Sequence, residues 1–309
     1  MKDKNVVFMG TPEFAVPVLE MLIEKTNVVL VVTQPDKMVG RKKEIKFSPV
    51  KEVAIKHNIE VFQPSKIRED YEPLKNLDID LIVTCAFGQI LPVDILDMPK
   101  CGSINVHASI LPKYRGSAPI EYAIMNGERE TGVTIMYMDE GMDTGDIISI
   151  SKLSIEDSDN GGTIHEKLAK LGRDTLEDTL ESIFNKTCKR IKQGNDYSIA
   201  PKIKREDERI DFYTEGEAII NKIRAFNPSP LANIMIDDKE IKVISAKYVK
   251  KNVNEVSKIV EIDKENIGIS CIDGIIYLNV VKPMGKNIMD IKSFLNGIDK
   301  EKYLGKKVN

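Results

Sequence analysis

The chain has 309 residues, of which 42% are hydrophobic and 30% are charged, and its formal net charge at pH 7 is −3. The chain is long enough for two domains and a substantial core, and its composition is ordinary for a soluble protein. The weak negative charge argues against a generally basic nucleic-acid binder, and no apolar run approaches the roughly 18 residues that a membrane span needs.

The cysteines and the N-terminus indicate a cytoplasmic protein without a bound metal. The four cysteines form no CxxC pair, and no cluster of histidine and cysteine has metal-ligand spacing. The chain enters an apolar run directly, so we expect no signal or transit peptide.

Charge is distributed unevenly along the chain. Residues 188–309 carry 23 Lys and Arg against 18 Asp and Glu, a net charge of +5, whereas residues 1–187 carry 22 against 30, a net charge of −8. The basic C-terminal part could hold a polyanion, although a solvated lysine-rich surface explains the charge equally well.

The first predicted elements are those of a Rossmann-like α/β domain. A short buried strand over 5–9 leads through Gly10 into an amphipathic helix, and a second buried strand covers 28–34. Glycine at this turn lets the backbone approach a ligand closely. The dinucleotide-binding pattern GxGxxG is absent.

A basic loop follows the second strand and precedes a helix that begins near Ser48-Pro49, a favourable N-cap arrangement. A solvated surface explains such a loop as well as an anion-binding site does. Its cations are Lys37, Arg41, Lys42, Lys43 and Lys46.

A further strand and turn lead towards the centre of the chain. The predicted elements are a short strand near 61–64, a helical segment near 67–76, a buried strand over 80–86 and a helix near 93–97. The turn from Phe87 to Pro92 lies between the last two. By its residues alone, this turn is a plain connection between a strand and a helix.

The central stretch of the chain covers 104–116 and has the sequence INVHASILPKYRG. It lies at a predicted buried strand, 103–107, in which alternation places Asn105 and His107 on one face. Two polar side chains on one face of a buried strand are costly unless they are paired or used.

A second stretch, 138–148, has the sequence MDEGMDTGDII and follows another predicted strand. Two glycines four residues apart make a tight loop around Asp143, whose carboxylate can be aimed at His107. A histidine at a strand end is usually structural, and an aspartate in a glycine-rich turn usually forms the turn. Their joint occurrence favours a site built from Asn105, His107 and Asp143.

The C-terminal third predicts a small, separate β domain. A long helix over 163–185 and a polar, charged segment over 186–212 precede it. A helix over 215–225 then ends at the motif RAFNPSP, and the short strands after it favour a small β-barrel. The remaining histidines, His57 and His165, lie on predicted helices as surface or structural residues.

Several motifs resemble those of the folate-dependent formyltransferases. INVHASILPKYRG and MDEGMDTGDII are similar to that family's Asn-x-His, Ser-Leu-Leu-Pro-like turn and Asp-x-Gly-x-Asp-Thr-Gly. The opening GTPEF and the later RAFNPSP also match, so the resemblance covers nearly the whole chain. Tyr114 and Ser229 stand where many relatives have tryptophan, and neither departure touches the three candidate site residues.

The resemblance implies an α/β fold with two domains. A Rossmann-like formyltransferase domain is expected over 1–188, a linker over 189–206 and a small OB-like β-barrel domain that binds tRNA over 207–309. A monomer is the family expectation. The residues that the resemblance implies for folate binding are Phe87, Gly88, Gln89, Ile90, Ser109, Ile110, Leu111 and Pro112. Those that it implies for the acceptor stem of the tRNA are Arg41, Lys42 and Lys43.

The resemblance also implies a reaction, the transfer of a formyl group from 10-formyltetrahydrofolate to the α-amino group of initiator methionyl-tRNA for translation initiation. Attack of the amine makes a tetrahedral species with a negative oxygen, for which Asn105 and protonated His107 are donors. Asp143 either holds His107 in one tautomer or relays the proton through water, and the residues leave both roles open. Direct transfer needs neither a metal nor a covalent enzyme intermediate.

Three other functions compete with this one. A sugar or small-amine formyltransferase shares the first domain and its three site residues, but it does not explain the basic loop at 41–46 or the barrel with RAFNPSP. A glycinamide ribonucleotide formyltransferase normally ends near the first domain. A non-catalytic nucleotide- or RNA-binding protein on a Rossmann scaffold has no need of the three residues, and folate-dependent turnover separates it from an enzyme.

Overall fold

The computed structural model describes residues 1–39 and 44–309. Its β-strands over these residues are β1 Asn5–Gly10, β2 Asn27–Val32, β3 Lys37–Val39, β4 Glu44–Lys46, β5 Val61–Phe62, β6 Leu81–Cys85, β7 Ser103–His107, β8 Arg115–Gly116, β9 Glu130–Tyr137, β10 Ile147–Ser154, β11 Ile199–Ala200, β12 Ala232–Ile236, β13 Lys239–Lys250, β14 Ile259–Ile262, β15 Ile267–Cys271, β16 Gly274–Pro283 and β17 Met289–Asp290. Its α-helices there are α1 Val16–Lys25, α2 Pro49–Lys56, α3 Glu72–Lys75, α4 Val93–Leu96, α5 Pro119–Met125, α6 Gly161–Phe184, α7 Gly216–Ala225, α8 Ile291–Leu295 and α9 Lys300–Tyr303. Short 3-10 helices cover Glu13–Ala15 and Arg205–Glu208.

The chain divides into two compact units. The first comprises Met1–Pro119, Glu130–Ser154 and His165–Pro201. The second comprises Ile120–Arg129, Ile155–Ile164 and Lys202–Asn309. The domain boundaries inferred from the sequence, after residues 188 and 206, stay predictions. Over the described residues, no helix is both long enough and apolar enough to cross a membrane.

The first unit is built on one mixed sheet, whose strand order over the described residues is β5-β2-β1-β6-β7-β9-β10. The strands from β5 to β7 are parallel, and β9 and β10 extend the sheet in antiparallel fashion. The chain runs from β1 outward to β5 and then returns to β6 on the other side of β1, which confirms the predicted Rossmann-like topology. The carboxyl ends of β1, β6 and β7 meet at one edge, where such sheets bind ligands.

The central parallel strands are largely buried. All residues of β6 are buried, so it reads as one continuous apolar run, as expected for a parallel strand with both faces covered. Helix α6 approaches β7 closely at Gly172, where an added Cβ would lie 2.9 Å from Val106 Cγ1. The strand that carries Asn105 and His107 is therefore supported by a closely packed helix.

One predicted helix is shorter than expected. The helical segment near 67–76 is reduced to Glu72–Lys75. Pro73 lies in the first turn of that helix, where its missing N–H costs nothing. In a helix that began at residue 67, its ring would clash with the carbonyl four residues earlier, so the helix begins later.

The basic segment after β2 is in part a hairpin, because β3 and β4 pair in antiparallel fashion. The helix after it begins as predicted. Ser48 Oγ accepts from the backbone N–H of Lys51 at 3.1 Å, which confirms Ser48 as the N-cap of α2.

The second unit contains an antiparallel sheet with the strand order β12-β13-β16-β15-β14, and β17 pairs with β16. The last residues of the chain join its two outer strands. Ile259 in β14 shares backbone hydrogen bonds with Gly305 and Lys306, and Met235 in β12 shares them with Asn309. The sheet therefore returns on itself as in a small barrel, which confirms the predicted OB-like β domain.

Replacing Gly10 by alanine should destabilise the first unit, because an added Cβ would lie 2.8 Å from Phe8 Cε1 and 2.9 Å from the Cys85 carbonyl oxygen. Since the backbone of a central strand cannot move aside, we expect the free energy of unfolding to fall by about 1–3 kcal/mol. Urea denaturation followed by circular dichroism measures it. Gly194→Ala is the control, because, apart from its two chain neighbours, no described residue has an atom within 4 Å of its added Cβ. Equal losses in both variants would contradict the steric explanation.

Candidate active site

The three residues predicted to form the site meet at the carboxyl end of β7. Asn105 and His107 lie on the same face of the strand, as alternation predicts, and both face Asp143. His107 Nδ1 is 3.6 Å from Asp143 Oδ2, and Asn105 Nδ2 donates to Asp143 Oδ1 at 3.4 Å. Because His107 is only 5% exposed, water screens the interaction of its ring with the carboxylate weakly.

The His107 ring is held from its other side by the backbone. Its Nε2 atom is 3.0 Å from the carbonyl oxygen of Tyr114. Since a carbonyl only accepts, this nitrogen carries a proton in the hydrogen bond. Nδ1 faces Asp143 across a gap slightly longer than a hydrogen bond. A ring that is protonated at Nδ1 as well can donate to an atom that enters this gap.

The amide of Asn105 is oriented by the neighbouring strand. Thr84, its partner in the register of β6 and β7, donates its hydroxyl to Asn105 Oδ1 at 2.8 Å. The amide oxygen is thereby occupied, and the NH2 group faces Asp143. Thr84 belongs to no motif that marks a site residue, although it is the single polar residue in the apolar strand LIVTC, which is a signal for such a role.

The loop that carries Asp143 is held by several hydrogen bonds. Asp143 has a φ of +55°, in the left-handed region that residues other than glycine rarely adopt. Its Oδ2 atom accepts from the backbone N–H of Gly116 at 2.8 Å. Earlier in the loop, Asp139 accepts from Gly141 N at 3.0 Å and from Thr144 Oγ1 at 2.6 Å. These bonds together determine where the Asp143 carboxylate points.

The turn from Ser109 to Pro112 is fixed by a buried threonine on β9. Thr134 donates to the Ser109 carbonyl at 2.7 Å and accepts from the backbone N–H of Leu111 at 3.1 Å. The Ser109 hydroxyl donates to the carbonyl four residues later at 2.6 Å. Ser109 and Leu111 are buried, whereas Ile110 and Pro112 are half-buried. Of the four predicted folate contacts in this turn, Ile110 and Pro112 therefore have side chains that are accessible from solvent.

The other predicted folate segment, from Phe87 to Ile90, follows β6 at the same edge of the sheet. Phe87 is buried, and Gly88 has a φ of +81°, which suits glycine. The side chain of Gln89 accepts from the backbone N–H of Ile67 at 2.7 Å and so holds the turn in place. Ile90 is 79% exposed, which leaves its side chain available to a ligand.

The predicted tRNA contacts lie outside the described residues; they are Arg41, Lys42 and Lys43. The hairpin that flanks them exposes apolar side chains. Met38 on β3 and its cross-strand partner Ile45 on β4 are 71% and 67% exposed.

The arrangement suits the addition of a nucleophile to a carbonyl. The Asn105 NH2 group and a protonated His107 can donate to a developing oxyanion, and the Asp143 carboxylate can accept a proton beside them. Burial raises the pKa of the Cys85 thiol, so this neighbouring cysteine is not a thiolate nucleophile. In the part of the chain that the structure describes, no group of three or more His, Cys, Asp and Glu residues could hold a metal ion.

Sequence comparison relates the whole chain to known enzymes. A family model described as formyl transferase matches residues 4–180, and one described as formyl transferase, C-terminal domain, matches residues 202–299. The methionyl-tRNA formyltransferase of Staphylococcus epidermidis is 47% identical over 306 residues, which cover 98% of this chain and 98% of that protein.

Solved structures show the same fold at lower identity. The N-formyltransferase from Helicobacter canadensis, in complex with folinic acid and dTDP-3-aminofucose, has a TM-score of 0.67 and 24% identity, and the match covers 89% of this chain and 98% of that one. The methionyl-tRNA formyltransferase from Clostridium thermocellum has a TM-score of 0.56 and 18% identity, with 79% of this chain and 93% of that one covered.

Thr134→Val should destabilise the first unit, because valine has nearly the volume of threonine but makes no hydrogen bond. The Ser109 carbonyl and the Leu111 N–H then lose a buried partner, and we expect the free energy of unfolding to fall by about 1–3 kcal/mol. Urea denaturation measures the change. In the control Thr187→Val, an exposed hydroxyl 3.4 Å from the Ser182 carbonyl is removed, and stability should hardly change. A Thr134→Val protein as stable as wild type would contradict the assigned role of this threonine.

Proposed function

Because the chain belongs to the formyl transferase family, we propose that it transfers the formyl group of 10-formyltetrahydrofolate to the α-amino group of initiator methionyl-tRNA. The observation that carries the proposal is the meeting of Asn105, His107 and Asp143 at the carboxyl end of β7. The match to a methionyl-tRNA formyltransferase over nearly the whole chain supports methionyl-tRNA as the acceptor. The reaction would serve translation initiation.

In the proposed mechanism, the α-amino nitrogen of the methionyl group attacks the formyl carbon. A C–N bond forms, and the carbonyl oxygen becomes an oxyanion that accepts from Asn105 and His107, each donor lowering the barrier by about 3–4 kcal/mol. The nitrogen that has attacked loses a proton, which Asp143 accepts directly or through water. The oxyanion then re-forms the C=O bond as the bond between the formyl carbon and N10 of the folate breaks, and N10 keeps the electron pair and takes up a proton.

The proposed folate site comprises the turns from Phe87 to Ile90 and from Ser109 to Pro112. The strands that precede them, β6 and β7, are parallel neighbours, so both turns follow the same edge of the sheet. The exposed Ile90 and the half-buried Ile110 offer apolar area for a flat ring, as is usual in small-molecule sites. The complex of the Helicobacter canadensis N-formyltransferase with folinic acid supports a reduced folate as the donor.

The proposed tRNA contacts are Arg41, Lys42 and Lys43, together with the second unit. Residues 202–309, the main part of the second unit, carry 20 Lys and Arg against 17 Asp and Glu, a net charge of +3, and this excess supports a role for them in holding a polyanion. We further propose that the protein acts as a monomer in the cytoplasm, the compartment in which charged initiator tRNA is used.

A formyl-transfer assay tests the proposal. Purified protein and 10-formyltetrahydrofolate are incubated with charged initiator tRNA, with free methionine, or with a panel of nucleotide-linked amino sugars. Transfer to the tRNA alone would support the proposed acceptor. Transfer to a sugar would agree with the formyl-transfer chemistry proposed for the first unit but would refute methionyl-tRNA as the acceptor. A lack of transfer to every substrate would refute the proposed formyltransferase activity.

His107→Ala and Asp143→Ala should each lower kcat by about 10²–10⁴-fold, because the first removes a hydrogen-bond donor to the oxyanion and the second removes the group that accepts the proton. Steady-state kinetics with methionyl-tRNA measures the loss, and circular dichroism shows whether the fold survives. His57→Ala removes an exposed histidine and should leave kcat unchanged. Turnover near that of wild type in either site variant would refute the assigned roles.

Replacement of Arg41, Lys42 and Lys43 by alanine should raise KM for the tRNA and leave kcat for the saturated enzyme nearly unchanged. Binding should also become less dependent on salt, since fewer counterions are released from the phosphates. Initial rates at several salt concentrations measure both effects. A triple alanine variant at Lys66, Arg68 and Lys75 removes the same charge elsewhere in the first unit, and an equal rise in KM there would exclude a specific contact.

A further inference from the structure

We infer that Gln193, held by Arg115, is a positioning residue for Asp143. The inference rests on the proposed function, because it assigns to Gln193 a part in the formyl transfer. Gln193 lies in the segment that the sequence predicts to be a linker, and nothing in its sequence surroundings indicates a role in the site.

The side-chain amide of Gln193 binds the backbone of the catalytic loop at two points. Its Nε2 atom donates to the carbonyl of Asp143 at 2.9 Å and to the carbonyl of Gly145 at 2.8 Å. Both protons of one NH2 group are therefore used on the loop. These two hydrogen bonds hold the main chain on either side of residue 144 in one conformation.

Arg115 holds the same amide from the opposite side. Its Nε and Nη2 atoms both donate to Gln193 Oε1, at 3.0 Å and 2.7 Å. Because the guanidinium only donates, the oxygen of the amide must face Arg115 and the NH2 group must face the loop. Arg115 is itself buried, and its guanidinium carbon lies 4.7 Å from the centroid of the Tyr197 ring. The guanidinium group therefore has little freedom to rotate.

The loop needs such support because of its backbone conformation. Asp143 is held at a φ of +55° and lies between Gly141 and Gly145, two residues that permit many conformations. The bond from the N–H of Gly116 fixes the carboxylate alone. The bonds from Gln193 fix the main chain that carries it.

Three consecutive residues thus hold three parts of the site. The Tyr114 carbonyl binds the His107 ring, the Arg115 side chain orients Gln193, and the Gly116 N–H binds Asp143. Displacement of any of these contacts changes the geometry between the imidazole and the carboxylate.

The segment that carries Gln193 is anchored on both sides of it. Ile191 and Ile147 exchange backbone hydrogen bonds at 2.8 Å and 2.9 Å. Beyond Gln193, strand β11 pairs with β8, and the backbone N–H of Arg115 donates to the Ser198 carbonyl at 2.9 Å. Gln193 is therefore a fixed bridge within the first unit.

The experiment compares Gln193→Ala and Gln193→Glu with wild type in the formyl-transfer assay. Glutamate keeps the acceptor for Arg115 but has no N–H to offer the two loop carbonyls, so we expect both variants to lose at least about tenfold in kcat through misplacement of Asp143. KM for both substrates should change little. Asn195→Ala, which removes an exposed amide two residues away, should behave as wild type. A fully active Gln193→Glu enzyme would overturn the inference.

A double-mutant cycle separates positioning from general destabilisation. If Gln193 acts through Asp143, Gln193→Ala should cause little further loss of kcat in an Asp143→Ala background. If Gln193→Ala lowers kcat by the same factor in both backgrounds, the inference is overturned, because Gln193 would then act independently of the carboxylate.

Nuclear magnetic resonance gives a readout that does not depend on turnover. The chain has three histidines, so the ring nitrogens of His107 can be assigned beside those of His57 and His165. Gln193→Ala should move the ring signals of His107 and leave those of the other two in place, whereas unmoved His107 signals would overturn the inference. If wild type transfers no formyl group to any acceptor, the proposed function fails, and this measurement still decides whether Gln193 positions Asp143 against the ring.

Discussion

The candidate site depends on the placement of one carboxylate. The Asp143 side chain is only 15% exposed and lies 3.6 Å from His107 Nδ1. A carboxylate so far removed from water is costly unless hydrogen bonds compensate it. The Gly116 N–H and the Asn105 NH2 group supply those bonds, and the same bonds determine its direction. These hydrogen bonds therefore both stabilise the negative charge of Asp143 and fix its position beside His107.

A strand and a loop contribute to this placement in different ways. Strand β7 pairs with β6 on one side and with β9 on the other, so Asn105 and His107 are positioned by the sheet itself. The Asp143 loop is held by hydrogen bonds within the loop and by bonds from Asn105, Gly116 and Gln193. Changes in those bonds can alter the relation of Asp143 to His107 while the sheet stays intact, which separates catalytic geometry from stability.

In the proposed function, the reaction centre lies in one unit and the contacts to the tRNA extend over both. The formyl transfer uses residues of the first unit. The proposed tRNA contacts are Arg41, Lys42 and Lys43 of the first unit and basic residues of the second. The second unit has its own sheet, whose outer strands are joined by the last residues of the chain.

The local features of the fold could be derived from the sequence. Alternation in SINVH placed Asn105 and His107 on one face, and Ser48 began a helix, because these features depend on side-chain direction and hydrogen bonds between near neighbours. The tight loop between Gly141 and Gly145 indicated Asp143, and the family motifs supported it by resemblance. Thr84 and Gln193 were missed for a physical reason. Each acts through hydrogen bonds to groups 21 and 50 residues away, and such bonds leave no trace in the hydrophobic pattern. Only the tertiary structure, which pairs neighbouring strands and returns a polar segment to the loop, decided their contacts.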